Sequence, residues 1–243
     1  MRSRPGPLLC ELHAHTTWSD GALTLTELVD LYGHSGFDVL CVTDHVGRSE
    51  PRWRHPDWKL TSAAAFDDYL VAVEGEAQRA RSKYGLVVVP GLELTYDDDD
   101  PVRAAHAVAV GLRSFVGVDD GLEQALADAR AAGAALIAAH PYSPSVAVTT
   151  TRGTARWAAA GLALADLVDR YELVNRRDFF PWVAEAGLAG IATGDFHRLE
   201  HLATWKTLLP CVATETAVVA YLRSGLPAYL VDLAEPARLQ AAA

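Results

Sequence analysis

What most constrains this chain is a rhythm: a short apolar run, then a longer segment with helical spacing, repeated nearly to its end. Candidate strands fall at 8–13, 38–43, 86–92, 104–111, 134–140, 173–175 and 188–193, with a late one at 228–231. The runs are apolar throughout and do not alternate, which predicts burial on both faces and hence a parallel α/β sheet. The first helix carries its own start signal, because Thr24 and Glu27 form a T-x-x-E capping box and Leu25, Leu28, Val29 and Tyr32 follow at i, i+3, i+4 and i+7 before Gly36. Helical segments at 66–81, 122–132 and 182–186 end likewise at Gly85, Gly133 and Gly187. Seven or so such units exceed a small doubly wound sheet and approach a closed barrel. With 243 residues, half of them apolar, the chain is expected to form one domain over 1–243.

Charge and cysteine usage narrow the function. Asp and Glu outnumber Lys and Arg by 31 to 21, a formal net charge of −10 that argues against gripping long nucleic acid or lying on an anionic membrane. A small substrate in a local site is expected instead. The three cysteines, Cys10, Cys41 and Cys211, lack CxxC spacing and suit a reducing cytoplasm. Neither a secretory leader nor a spanning segment is indicated, since no apolar stretch nears the roughly 18 residues required. The acidic run Asp97 to Asp100 reads as a solvated loop, with a calcium site as the lesser alternative. Two long irregular connections, 48–59 and 142–156, are where binding is expected to lie.

Six of the nine histidines fall in or just beyond candidate strands: His13 and His15 in ELHAHT, His45 in TDH, His106 in AAHAVAV, His140 in AAHP and His197 in GDFH. Any one of them alone is explained as a hydrogen-bonded core residue; six at one rim of a sheet are not. His13 and His15 are two apart on an extended chain, so their rings point the same way. Asp20 in WSDG, Glu93 in PGLE and Asp195 in GDFH bring carboxylates to the same rim. Imidazole with carboxylate and no thiolate favours Mn, Fe or Zn. The chain has no nucleophile elbow, P-loop, dinucleotide fingerprint or HExxH helix.

The ordered set HxH, SDG, TDH, PGLE, mid-strand His, HP and DxH, spread from about residue 9 to 197, resembles the PHP family, named for polymerase and histidinol phosphatase domains. The resemblance implies a distorted (β/α)7 barrel with three divalent metal ions at the C-terminal strand ends. It places His13, His15, Glu93 and Asp195 on one ion, Glu93 with His106 and His140 on a second, and Asp20, His45 and His197 on the third. Two positions depart from the usual pattern: Glu11 stands where Asp is frequent, and Gly194 where serine often precedes the Asp. The activity implied is hydrolysis of a small phosphate monoester, of nucleotide or amino-alcohol phosphate type, by a metal-bridging hydroxide. Glu93, Asp195 and His197 would be the catalytic residues, with His197 or a bound water as proton donor. Three ions against three carboxylates leave a site of about +3, suited to a dianionic ester. Alternatives are a PHP-type nuclease acting on short oligonucleotides and a non-catalytic metal-binding module.

Substrate contacts are expected from Arg48, three residues past His45, from Arg177 or equally Arg176 after Asn175 at a strand end, and from Lys206 in HLATWK. Asp44 and His201 are candidates to support ligands, Asp44 equally a helix cap. His34 and His55 read as uninvolved.

Overall fold

The computed structural model describes residues 6–146 and 154–234. Eleven strands form one sheet: β1 (Leu8–Glu11), β2 (Val39–Val42), β3 (His45–Val46), β4 (Val87–Tyr96), β5 (Ala105–Val110), β6 (Ala135–Ala139), β7 (Arg170–Asn175), β8 (Asp178–Phe179), β9 (Gly190–Thr193), β10 (Trp205–Leu209) and β11 (Tyr229–Asp232). The main path runs β11-β10-β1-β2-β4-β5-β6-β7-β8, with β3 beside β4 and β9 beside β7. Helices α1 (Leu25–His34), α2 (Ala63–Lys83), α3 (Leu122–Ala131), α4 (Arg156–Ala160), α5 (Pro181–Glu185) and α6 (Glu215–Arg223) connect or cover it. The seven early candidate strands and the late one are all present. Strand β10 and helix α6 were not anticipated, and part of the expected loop at 142–156, residues 147–153, lies outside the described residues.

The sheet is a curled half-barrel, not a uniform ring of βα units. β1–β2, β2–β4, β6–β7 and β7–β9 are parallel, whereas β4–β5, β5–β6 and β1–β10 are antiparallel. Where a ring would join β9 to β10 and β1, side chains and single bridges stand in for a ladder. Thr207 Oγ1 accepts from Ala192 N at 2.9 Å and donates to Ala192 O at 2.6 Å. His15 N donates to Phe196 O, and Phe196 N to His13 O, so the end of β1 touches the turn after β9.

Local chemistry explains the elements that carry the site. Thr24 and Glu27 do form the capping box of α1, whose Leu25, Leu28, Val29 and Tyr32 are buried. Gly85 and Gly133 end their helices at φ 76° and 93°, the left-handed region that a Cβ would strain. Both faces of the inner strands are buried: Leu40, Val42 and Val88 pack under the helices, while Val39, Cys41, Val87, Val89, Val108, Val110 and Ile137 fill a second core with Val218 and Leu222 of α6. By the two-residue period of a strand, Val87 and Val89 share a face with Glu93, and Val108 and Val110 with His106. An apolar floor therefore underlies the polar rim. All three cysteines are unpaired. No helix among the described residues is long and apolar enough to cross a membrane.

Candidate metal centre

Glu93 is the hub. It sits fully buried in β4, in register with His45 on β3 and two pairs away from Thr95↔His106 on β5, hence on the same face as His106. One oxygen, Oε2, lies 3.1 Å from His13 Nε2, 3.2 Å from His15 Nε2 and 3.0 Å from His45 Nδ1. The other, Oε1, lies 3.0 Å from both His106 Nδ1 and His140 Nε2. Asp195 Oδ1 is 3.7 and 3.5 Å from the Nε2 atoms of His13 and His15. Asp20 Oδ1 lies 3.5 Å from His45 Nε2, 3.3 Å from His197 Nε2 and 4.0 Å from His15 Nδ1. All nine residues singled out in the sequence thus converge. Three groupings have ligand atoms close enough to share an ion: His13, His15 and Glu93; His45, Glu93 and His106; and His15, Asp20, His45 and His197. The structure therefore places His15 beside the third group as well as the first, and His45 beside Glu93 and His106.

Two buried atoms show that these side chains do not satisfy one another. His15 Nε2 and Asp195 Oδ1 have no hydrogen-bond partner, although each faces polar atoms within 3.5 Å. A buried polar atom left so costs free energy unless something else meets it. Buried imidazole and carboxylate atoms left over beside hydrogen-bonded ones are what a divalent cation fits, and this donor set matches borderline ions.

The electrostatics agree. Burial disfavours ionised Glu93 and Asp195, but nearby imidazoles overcome it and hold both carboxyls well below the usual range. Burial likewise pushes His106 and His197 toward neutrality, yet the hydrogen bonds that His106 donates to Asp97 and Glu93, and His197 to Asp195 and Asp20, carry each pKa up to about 10. His45 goes the other way, since its burial outweighs the pull of Glu93. The pocket is rich in negative charge that protons or metal ions must balance.

A supporting layer fixes the rings. Glu172, buried in β7, lies 2.9 Å from His13 Nδ1 and accepts from His140 N, Asn175 Nδ2 and Thr193 Oγ1. His45 Nδ1 contacts Thr95 Oγ1 at 2.7 Å, and His140 Nδ1 contacts Thr154 Oγ1 at 3.1 Å. Asp44 accepts from Thr16 N and Oγ1 and from Ser19 N and Oγ, shaping the loop that presents Asp20; it is no helix cap. His201 Nδ1 accepts from His197 N at 3.0 Å. Among the described residues, three that are not glycine adopt left-handed backbone, His140, Arg176 and Asp195, and all three lie at this rim.

Several expectations need correction. Lys206 cannot meet a substrate, because it is fully buried with its ammonium 3.1 Å from Glu11 Oε2. Arg177 turns outward to Asp232 and the carbonyl of Ala203. Its neighbour Arg176 takes the inner place, 3.0 Å from Asp195 Oδ2 and 2.9 Å from His197 Nδ1. Arg48 is held at the rim by Asp97 O and Glu50, over the rings of Trp53 and Tyr96. Asp97 is not simply solvated, since its Oδ1 is 3.1 Å from His106 Nε2. His55 is not remote either: Trp58 is stacked between it, at 3.9 Å, and His45, at 4.2 Å. His34 stays outside the site, bonded to Asp30 O.

No family model matches the chain. Among solved structures it is similar to a two-domain protein from Bacteroides vulgatus that contains a predicted PHP-like metal-dependent phosphoesterase. The TM-score is 0.69, with 19% identity, over 96% of this chain and 69% of that one. Among curated proteins, 94 residues, 39% of this chain, are 31% identical to the DNA polymerase/3'-5' exonuclease PolX of Bacillus subtilis, and the match spans 16% of that protein. The fold is thus shared with PHP-like metal-dependent phosphoesterases.

Proposed function

We propose that this chain is a metal-dependent phosphoesterase whose substrate is a small phosphate monoester. The observation that carries the reading is the convergence of six imidazoles with the carboxylates of Asp20, Glu93 and Asp195, five of the imidazoles lying on Glu93, with His15 Nε2 and Asp195 Oδ1 buried and unpartnered. His13, His15, Glu93 and Asp195 would hold one divalent ion, Glu93, His106 and His140 a second, and Asp20, His45 and His197 a third. Such ions supply Lewis acidity toward phosphate oxygens and lower the pKa of water into the neutral range.

The chain's own residues do the rest. Glu172 holds His13 by Nδ1 and so leaves Nε2 facing Glu93. The apolar floor excludes water from below the site. Arg176, whose side chain is 34% exposed and which lies against Asp195 and His197, is a cation at the rim placed to meet a phosphate oxygen. Loading purified protein with Mn2+ and measuring metal content and phosphate release across a monoester panel tests the proposal. Turnover that disappears in His13→Ala is expected; a metal-loaded wild type and His13→Ala that are equally inert sink it.

A second reading, cleavage of short oligonucleotides, is favoured by the partial likeness to the polymerase and exonuclease of Bacillus subtilis. The net charge of −10 weighs against long strands. Comparing release from a mononucleotide with release from an oligonucleotide under the same metal loading separates the two.

A further inference from the structure

Glu11 and Lys206 lie on neighbouring strands, β1 and β10, both without solvent contact. Their charges reach no substrate, and burying two charges is costly. What the pair touches suggests its task. Glu11 Oε1 accepts from Gly194 N at 2.8 Å, Leu12 N at 3.1 Å and His13 N at 3.4 Å. Oε2 accepts from Tyr32 OH at 2.9 Å and faces Lys206 Nζ at 3.1 Å. Lys206 Nζ also donates to Thr204 Oγ1 at 2.8 Å and to the carbonyl of His201 at 3.0 Å, and His201 in turn accepts from His197 N. One carboxylate thus ties the strand bearing His13 and His15 to the turn bearing Asp195, and the ammonium extends the tie toward His197.

Gly194 completes the arrangement. It is not among the residues with left-handed backbone, so conformational freedom does not explain it. Space does: a Cβ there would overlap both Glu11 Oε2 and Lys206 Nζ. We propose that Glu11, Lys206 and Gly194 act as one positioning unit, in which the missing side chain at 194 admits the ion pair and the pair sets Asp195 and His197 against His13 and His15. This rests on the metal-dependent reading, since the groups being positioned are the proposed ligands.

The test titrates the full-length chain with Co2+, reading the d–d absorption and the dissociation constant of wild type, Gly194→Ser, Glu11→Asp and the double variant. Each single change is expected to weaken binding by about tenfold or more, the scale for residues that orient ligands. The serine pushes the pair off Gly194 N, and the aspartate withdraws its carboxylate by one methylene. Together they compensate, because the shorter acid opens the volume the serine fills, so the double variant should bind more tightly than either single. Wild-type affinity in Gly194→Ser, or a double variant no tighter than the singles, overturns the proposal. A wild type that binds no Co2+ removes the metal-dependent reading itself and this proposal with it. Should far-UV circular dichroism show Gly194→Ser unfolded, Tyr32→Phe carries the test, since it removes one donor to Glu11 and leaves residue 194 alone. Weaker Co2+ binding at an unchanged fold then supports the proposal; unchanged affinity and spectrum overturn it.

Discussion

Glu172 holds the candidate metal centre from one layer behind the proposed ligands. It has no solvent contact, and its two oxygens meet the His13 ring, the backbone of His140 and the side chains of Asn175 and Thr193. Glu172→Gln preserves the volume but not the charge that favours N–H at His13 Nδ1. We expect metal affinity to fall about 10–100-fold, measured by calorimetric titration; wild-type affinity would show that the ring needs no such hold. Arg177→Ala should do nothing comparable, because an exposed pair with Asp232 is worth about 0–1 kcal/mol, and turnover should match wild type. The nine converging residues were legible because each lies within a strand-like run or follows one. Glu172 was not, since a single Glu in YELVN has no spacing partner; the usable signal was a lone carboxylate inside an otherwise buried strand, which must be satisfied by something. Lys206 misled for the converse reason. A lysine near GDFH reads as a phosphate ligand until Glu11 is seen beside it.

At the scale of elements, the curled sheet depends on closures that are not ladders. Thr207 alone gives Ala192 both a donor and an acceptor across the gap between β9 and β10. Thr207→Val keeps the shape and strands both backbone groups, so a loss of about 2 kcal/mol is expected, given a cost of about 1–3 kcal/mol for a buried group left unmet. Thermal unfolding would record it, and an unchanged midpoint would mean that the gap is held elsewhere. The uniform βα reading failed at β4 and β5 for a reason visible in the chain. Residues 97–104 are too few for the dozen or more that a parallel crossover needs, so the two strands had to pair antiparallel. Strand β10 escaped notice because Lys206, buried by its ion pair, breaks the apolar run of WKTLL. Helix α1, by contrast, was fully specified by its capping box and apolar spacing, which are local.

For the whole molecule, the metal-free site stores protons that loading must expel. His106 and His197, each with a pKa near 10, are protonated at pH 7, and a ring cannot keep both protons and bind an ion. Metal affinity should therefore rise with pH, and binding should release at least one proton per chain, read by calorimetry in buffers of different ionisation enthalpy. Loading with no proton release would contradict the charge balance described above. Free metal at about 100 times its dissociation constant adds about 2.7 kcal/mol per ion, or about 5–10 °C for a chain of this length, and a chelator should take it away. The net charge of −10 belongs to the bare polypeptide; with the proposed ions bound, the site would invert it locally. One further consequence follows from the stack of Trp58 between His45 and His55. Burial keeps His45 neutral, so an ion arriving on that ring would bring positive charge against the indole with no proton leaving it. The stack would then serve as an optical gauge, in which the emission lost on Trp58→Phe is the part that reports the proposed ions arriving at the rim.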